Sequence, residues 1–231
     1  MEFISKNKKI EDLFGLGKIC FDVLNIPLEQ KPDSDEFCGI YFEGRSRQLN
    51  CVEDFAVVHS FKGFSKYNYP IFIFSPNSEN LLNNEEKYKN CNVHHVKIPE
   101  CNSHDKYSQF MIKHIWNYLP KQYRRLLFFH PDGFLIKSGW EEFILESKLD
   151  YIGSAWCHSP SIDVFLNEEW KSLGFSKIQC GNGGFSYRSR DWCEMASDRY
   201  SKFILRATGR DDNRPPPEDL FYSHIINGLG G

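Results

Sequence analysis

The chain has 231 residues with Lys+Arg 28 against Asp+Glu 31, a formal net charge of -3, a length that suits one α/β enzyme domain and a balance that argues against a general nucleic-acid binder. Its Cys 8 include no CxxC pair and no histidine set at metal spacing, so they read as reduced thiols of a cytoplasmic protein, in preference to a disulfide framework or a zinc site. No apolar run has the length of a signal peptide or a membrane span.

Residues 1–36 carry mixed charge and two short apolar clusters, 10–14 and 19–26, closed by Pro27 and Lys31-Pro32-Asp33. They are expected to form an N-terminal extension packed on a main domain at 37–231. The run 37–42, FCGIYF, reads as the first strand, followed by the polar turn Glu43-Gly44-Arg45. From 49 to 61 the pattern is ambiguous. Leu49, Val52, Phe55, Ala56 and His59 share a helical face, yet 55–58 also fits a strand. Helix is preferred, because a strand, helix, strand alternation then follows with 71–74 as the second strand. A third strand is expected at 93–98, ending at Pro99. Ser103 then caps a helix with Tyr107, Phe110, Met111, His114, Ile115, Tyr118 and Leu119 at helical spacing, closed by Pro120. On that face His114 reads as a packed residue and not a ligand.

The fourth strand, 124–129, holds four consecutive apolar residues, LLFF, as a strand covered on both faces would, and turns polar at His130-Pro131-Asp132-Gly133. A short helix at 140–145 and a fifth strand at 151–155 come next. The loop 157–179, with Trp170 and Phe175, leads into Cys180-Gly181-Asn182-Gly183-Gly184 and an alternating strand through Phe185 and Tyr187. The segment Pro215-Pro216-Pro217-Glu218-Asp219 opens an apolar helix through Leu220, Phe221, His224 and Ile225. The closing residues 227–231, NGLGG, read as a helix stop and a cut end, which leaves room for a longer parent chain.

Three clusters could carry chemistry. Ligands of open α/β sheets bind outside the carboxyl ends of strands, where Asp132 would sit. A carboxylate there is a hard oxygen ligand for Mg²⁺ or Mn²⁺, and such an ion offsets charge on a departing diphosphate. Pro-Asp-Gly is also an ordinary turn on conformational grounds. The glycines at 181, 183 and 184 permit close backbone approach, and Asn182 offers both donor and acceptor, although a hairpin turn explains the same residues equally well. Pro217 fits the first helical turn, which places Glu218 and Asp219 at the positive end of the helix dipole. That position favours the ionised form a base requires, and acidic residues are common there for the same reason.

Taken in order, LLFFHPDGFLIKSGWEEF, LDYIGSAW, GNGGFSYRSR and PPPEDLFYSHI resemble a little-characterised family assigned to the glycosyltransferases, common in bacteria and large viruses. Its members carry a Gln-x-Asp-Gly-Phe turn, an Asp-Tyr-Ile-Gly-Ala-Pro-Trp strand, an Asn-Gly-Gly-Phe-Ser-Leu-Arg-Ser segment and a Glu-Asp pair. The likeness spans about 37–227 if the helix DKYSQFMIKHIW is included. Here His130 stands where the family usually has Gln, Ser154-Ala155 replaces Ala-Pro before Trp156, and the turn has one Asp instead of Asp-x-Asp.

The resemblance implies a GT-A-like nucleotide-sugar-binding α/β fold with a mostly parallel, Rossmann-like sheet flanked by helices. It implies transfer of a hexose from a nucleotide sugar, a UDP-sugar being favoured, to a hydroxyl of a glycan or other acceptor. Asp132, with Mn²⁺ or Mg²⁺, Gly133, Tyr107, Asn182, Gly183, Gly184 and Trp156 would bind the donor. Asp219, or failing that Glu218, would be the base of an inverting reaction. Trp156 and Trp140 suit either a sugar platform or the core. The rival from another class is an inactive glycan-binding or scaffold domain on the same fold. A sugar-phosphate nucleotidyltransferase would need a Gly-rich basic loop after the first strand, and no strand precedes Gly15-Leu16-Gly17-Lys18.

Overall fold

The computed structural model describes residues 36–65, 67–82, 86, 88–133, 135, 140–155, 180–207, 215 and 217–229. The expected extension at 1–36, Glu36 apart, lies outside them, as do Trp156 and the loop 157–179. The described strands are β1 (Phe37–Phe42), β2 (Ile71–Ser75), β3 (Val93–Lys97), β4 (Arg125–Phe129), β5 (Tyr151–Ala155) and β6 (Cys180–Ser189). The longer helices are α1 (Cys51–Ser65), α2 (His104–Lys113), α3 (Trp140–Ser147), α4 (Arg190–Ala207) and α5 (Glu218–Leu229).

One sheet runs in the order β3-β2-β1-β4-β6-β5. Strands β3, β2, β1 and β4 are parallel, and β6 runs antiparallel to both β4 and β5. The apolar runs sit where both faces are covered, because alternate side chains enter different cores. Phe37, Tyr41, Ile71, Ile73, Leu127 and Phe129 pack with Val57, Phe61 and Phe64 of α1 and Ile144 of α3. Cys38, Ile40, Phe42, Phe72, Phe74, Leu126 and Phe128 face Phe110 and Met111 of α2. A third cluster joins Ile112 of α2 to Cys193 and Ala196 of α4 and Phe221, Tyr222 and Ile226 of α5. Helices therefore cover the sheet in three layers.

Two helix starts are fixed by side chains that lead towards the site. Asn50 Oδ1 accepts from Val52 N and Glu53 N at 3.0 Å each, and Glu53 Oε2 accepts from Asn50 N at 3.0 Å, a capping box in which Asn takes the usual Ser/Thr place. Ser103 caps α2 by accepting from Lys106 N at 3.3 Å. This α-helix stops at Lys113 and tightens into a 3₁₀ turn at Ile115–Asn117, short of the expected Leu119. His114 falls at that break and is exposed, so its expected place in the apolar face is corrected.

The largest departure concerns GNGG. It is not a hairpin turn but the interior of β6, whose pairing with β5 is irregular at Gly153, Ser154 and Ala155. Helix α4 had no counterpart in the sequence reading. Cys38, Cys51, Cys91, Cys101 and Cys193 are free thiols. No helix among the described residues is long and apolar enough to cross a membrane.

Candidate active site at the switch between β1 and β4

From β1 the chain steps outward to β2 and β3, then returns to β4 on the other side of β1. The carboxyl ends of β1 and β4 thus flank a topological switch point, where α/β sheets bind ligands. A cleft of about 530 Å³ opens there, with Glu43, Arg45 and Arg47 from the turn after β1, Tyr107 from α2, and His130 and Asp132 from the turn after β4. His130 N donates to Gly133 O at 3.0 Å and Gly133 N to His130 O at 3.1 Å, a tight turn that leaves Asp132 exposed on the rim. The turn reading and the site reading of this tetrapeptide are therefore compatible. A Cβ on Gly133 would lie 2.8 Å from Phe185 Cβ, so the turn sits directly on β6.

Opposing charges build the β1 wall. Buried Glu43 accepts from Arg45 Nε and Nη2 at 2.8 Å each and from Arg47 Nη2 at 2.7 Å, and Arg47 Nη1 reaches Glu53 Oε2 at 2.6 Å. Burial alone would push the Glu43 carboxyl up. The hydrogen bonds and charge of Arg45, with the charge of Arg47, outweigh it and hold the group below the usual carboxylate range. Glu43 is thereby saturated as an acceptor, which fits a wall and not a base.

Behind Tyr107 lies the carboxyl pair. Glu218 Oε1 accepts from Arg188 Nη2 at 3.0 Å and from Tyr107 Oη at 3.2 Å. Arg188 is 0% exposed, rests 4.4 Å from the Phe128 ring centroid, and donates Nε to Ser186 Oγ at 3.1 Å. Asp219 is held by main chain: Oδ1 accepts from Leu220 N at 2.7 Å and Oδ2 from Gly183 N at 3.4 Å. A Cβ on Gly183 would stand 2.5 Å from Glu218 Oε1 and 2.7 Å from Arg188 Nη2, so only glycine lets β6 approach the pair.

Burial, reinforced by the Glu218 carboxylate, pushes Asp219 up to about 6, against the pull of the Leu220 and Gly183 amides and of Arg188. This reverses the expectation from the helix N-terminus alone, because desolvation and a like charge outweigh the dipole. Burial likewise lowers the His130 imidazole below its usual value, opposed by the Glu218 and Asp132 carboxylates, and its Nε2 has no hydrogen-bond partner.

Of the residues singled out in the sequence, Asp132, Gly133, Tyr107, Gly183, Gly184, Glu218 and Asp219 converge here. Asn182 belongs to β6 with its Cα in register with Ser154, and Trp156 lies outside the described residues. Trp140 packs edge-on to Phe37, 5.4 Å between centroids, and belongs to the core. Arg188, Arg47 and Glu53 also stand at the site and are not among the residues expected from the sequence. A basic residue in phase with buried positions of FSYRS was the available signal for Arg188.

Among the described residues no group of three His, Cys, Asp or Glu is placed to hold a metal. Asp132 offers one exposed carboxylate on the cleft rim, a hard oxygen donor of the kind Mg²⁺ and Mn²⁺ take alongside waters.

The three-layer α/β architecture, with its cleft at this switch point, is GT-A-like by its similarity to a solved glycosyltransferase structure. Core-mannan synthase A (CmsA/Ktr4) from Aspergillus fumigatus, in a Mn/GDP form, has a similar structure: the TM-score is 0.54 at 12% identity, over 89% of this chain and 72% of that one. At that identity the likeness is one of fold. The chain belongs to the family described as "Protein of unknown function (DUF5672)", whose model matches residues 90–230. No curated protein matches it in sequence.

Proposed function

We propose that this protein is a glycosyltransferase that moves a hexose from a nucleotide sugar to an acceptor hydroxyl with inversion. The observation that carries the reading is the junction of a switch-point cleft with a carboxyl pair through one residue, Tyr107, which lines the first and bonds the second. In this reading the nucleoside diphosphate occupies the cleft with its phosphates beside Asp132. The acceptor oxygen forms a bond to the anomeric carbon as the bond from that carbon to the diphosphate breaks. The nucleoside diphosphate leaves with the electron pair. Asp219 takes the hydroxyl proton, a role for which a carboxyl raised to about 6 is better matched than an ordinary one. A divalent cation bound with the diphosphate would supply charge neutralisation on the leaving group. An oxocarbenium-like transition state is expected, as in glycoside hydrolysis.

The similar fold of a protein seen with Mn and GDP supports a nucleoside diphosphate in the cleft, so GDP-sugars join UDP-sugars as donors to test. A thermal-unfolding screen of both tests the reading. A true ligand at a hundred times its dissociation constant adds about 2.7 kcal/mol of stability. Stabilisation by no nucleotide sugar would point to the glycan-binding alternative. With an active donor in hand, NMR of the anomeric product checks the stereochemistry, and a retained configuration would remove Asp219 from its role.

A further inference from the structure

Two adjacent carboxyls on one helix start are held by different groups. Glu218 is 3% exposed and takes two side-chain hydrogen bonds, from Arg188 and Tyr107, while among the described residues Asp219 takes main-chain N–H bonds from Gly183 and Leu220. Arg188 cannot swing away to serve another partner. It is enclosed by the rings of Phe128, Tyr151 and Tyr222 at 4.4, 5.7 and 5.3 Å, and its Nε is committed to Ser186. Removing one member of such a buried pair leaves an uncompensated charge, so the pair is fixed.

Resting on the transferase reading of the same site, we propose that Arg188 is a positioning residue: it fixes the Glu218 side chain beside Asp219 and leaves Asp219 as the member of the pair that takes the acceptor proton. Charged and titratable groups facing this pair are Arg188 from β6, Tyr107 from α2 and His130 from the end of β4. Their contributions differ in sign. The Glu218 carboxylate raises Asp219 and Arg188 lowers it, so the Asp219 midpoint reports on both members of the Arg188 to Glu218 contact. Gly183 supports the division of labour, since any side chain there would collide with both members of the ion pair.

The test is carboxyl-detected NMR titration of Asp219 in the ligand-free full chain, which needs no substrate. In the unsubstituted protein the midpoint should lie near 6. Glu218→Gln, nearly isosteric, should move it down. Arg188→Met should move it up, and Arg188→Lys should restore the original midpoint, a rescue that a merely structural arginine would not produce. If Arg188→Met fails to fold, the Glu218→Gln and Arg188→Lys measurements still decide. An Asp219 midpoint unchanged by Glu218→Gln, or one that Arg188→Lys shifts as far as Arg188→Met, overturns the proposal. Because the titration is read without donor or acceptor, it can succeed while every nucleotide fails to bind, in which case the transferase reading falls and the positioning network stands.

Discussion

Tyr107 Oη donates to Glu218 Oε1 across 3.2 Å, joining the cleft to the carboxyl pair through residues 111 positions apart in the chain. Its ring also packs edge-on to Phe42 at 4.9 Å, at the end of β1. Two functions of the side chain are thereby separable. Tyr107→Phe keeps the ring in the cleft wall and deletes one bond to a carboxylate that Arg188 still holds. The expected outcome in urea denaturation is a loss of about 1.5–3 kcal/mol, the range for a bond to a charged group, with an unchanged m-value. A loss beyond that range would mean that the phenol is the main support of Glu218.

A carboxyl raised as Asp219 is should make stability, and under the proposed function activity, depend on pH. Its carboxyl is raised from 3.8 to about 6 in the folded chain, so between those values the native state binds the proton more tightly than the unfolded state. Stability therefore falls as pH rises through that window. Asp219→Asn removes the effect, and the variant should gain on the unsubstituted protein by on the order of 2 kcal/mol between pH 4 and pH 8, read from denaturation midpoints at each pH. Transfer activity should rise with pH through about 6 in the unsubstituted protein. It should drop by roughly 10²–10⁴-fold in Asp219→Asn, with nucleotide binding retained.

Gly183→Ala tests the close approach of β6. The added methyl would meet Glu218 Oε1 at 2.5 Å and Arg188 Nη2 at 2.7 Å, neither of which is a free surface tip. Overpacking of this kind costs about 1–3 kcal/mol, measurable as a lowered unfolding midpoint, and should perturb Asp219 as well. An alanine variant of unchanged stability would show that the ion pair has room to move.

Much of the fold was legible because burial on both faces leaves a plain mark. FCGIYF and LLFF are uninterrupted apolar runs, and they form β1 and β4, the strands that flank the cleft. Helix α1 was resolved from a strand only by the alternation of elements around it. The turn reading of GNGG is overturned, and its Gly183 answers a tertiary demand, the lack of room beside Glu218 and Arg188, which no local pattern records. Helix α4 begins Arg190-Asp191-Trp192 and mixes charges with its apolar positions, which hid it. Glu218 and Asp219 were legible as a pair but not as unequal partners. Their difference arises from Arg188, 30 residues away, and from Tyr107, 111 away. Likewise Arg45 and Arg47 saturate Glu43, and Arg47 is tied in turn to Glu53 of the α1 capping box, a link that only the folded chain brings into view.

The proposed function requires that the switch-point cleft bind a nucleoside diphosphate beside Asp132. Calorimetry with UDP and GDP, each with and without Mn²⁺, tests it most directly in the unsubstituted protein and in Asp132→Ala. Binding of one of the two, strengthened by Mn²⁺, is expected, with loss of that strengthening in Asp132→Ala. Absence of binding by both, or metal-dependent binding that Asp132→Ala leaves unchanged, would contradict it.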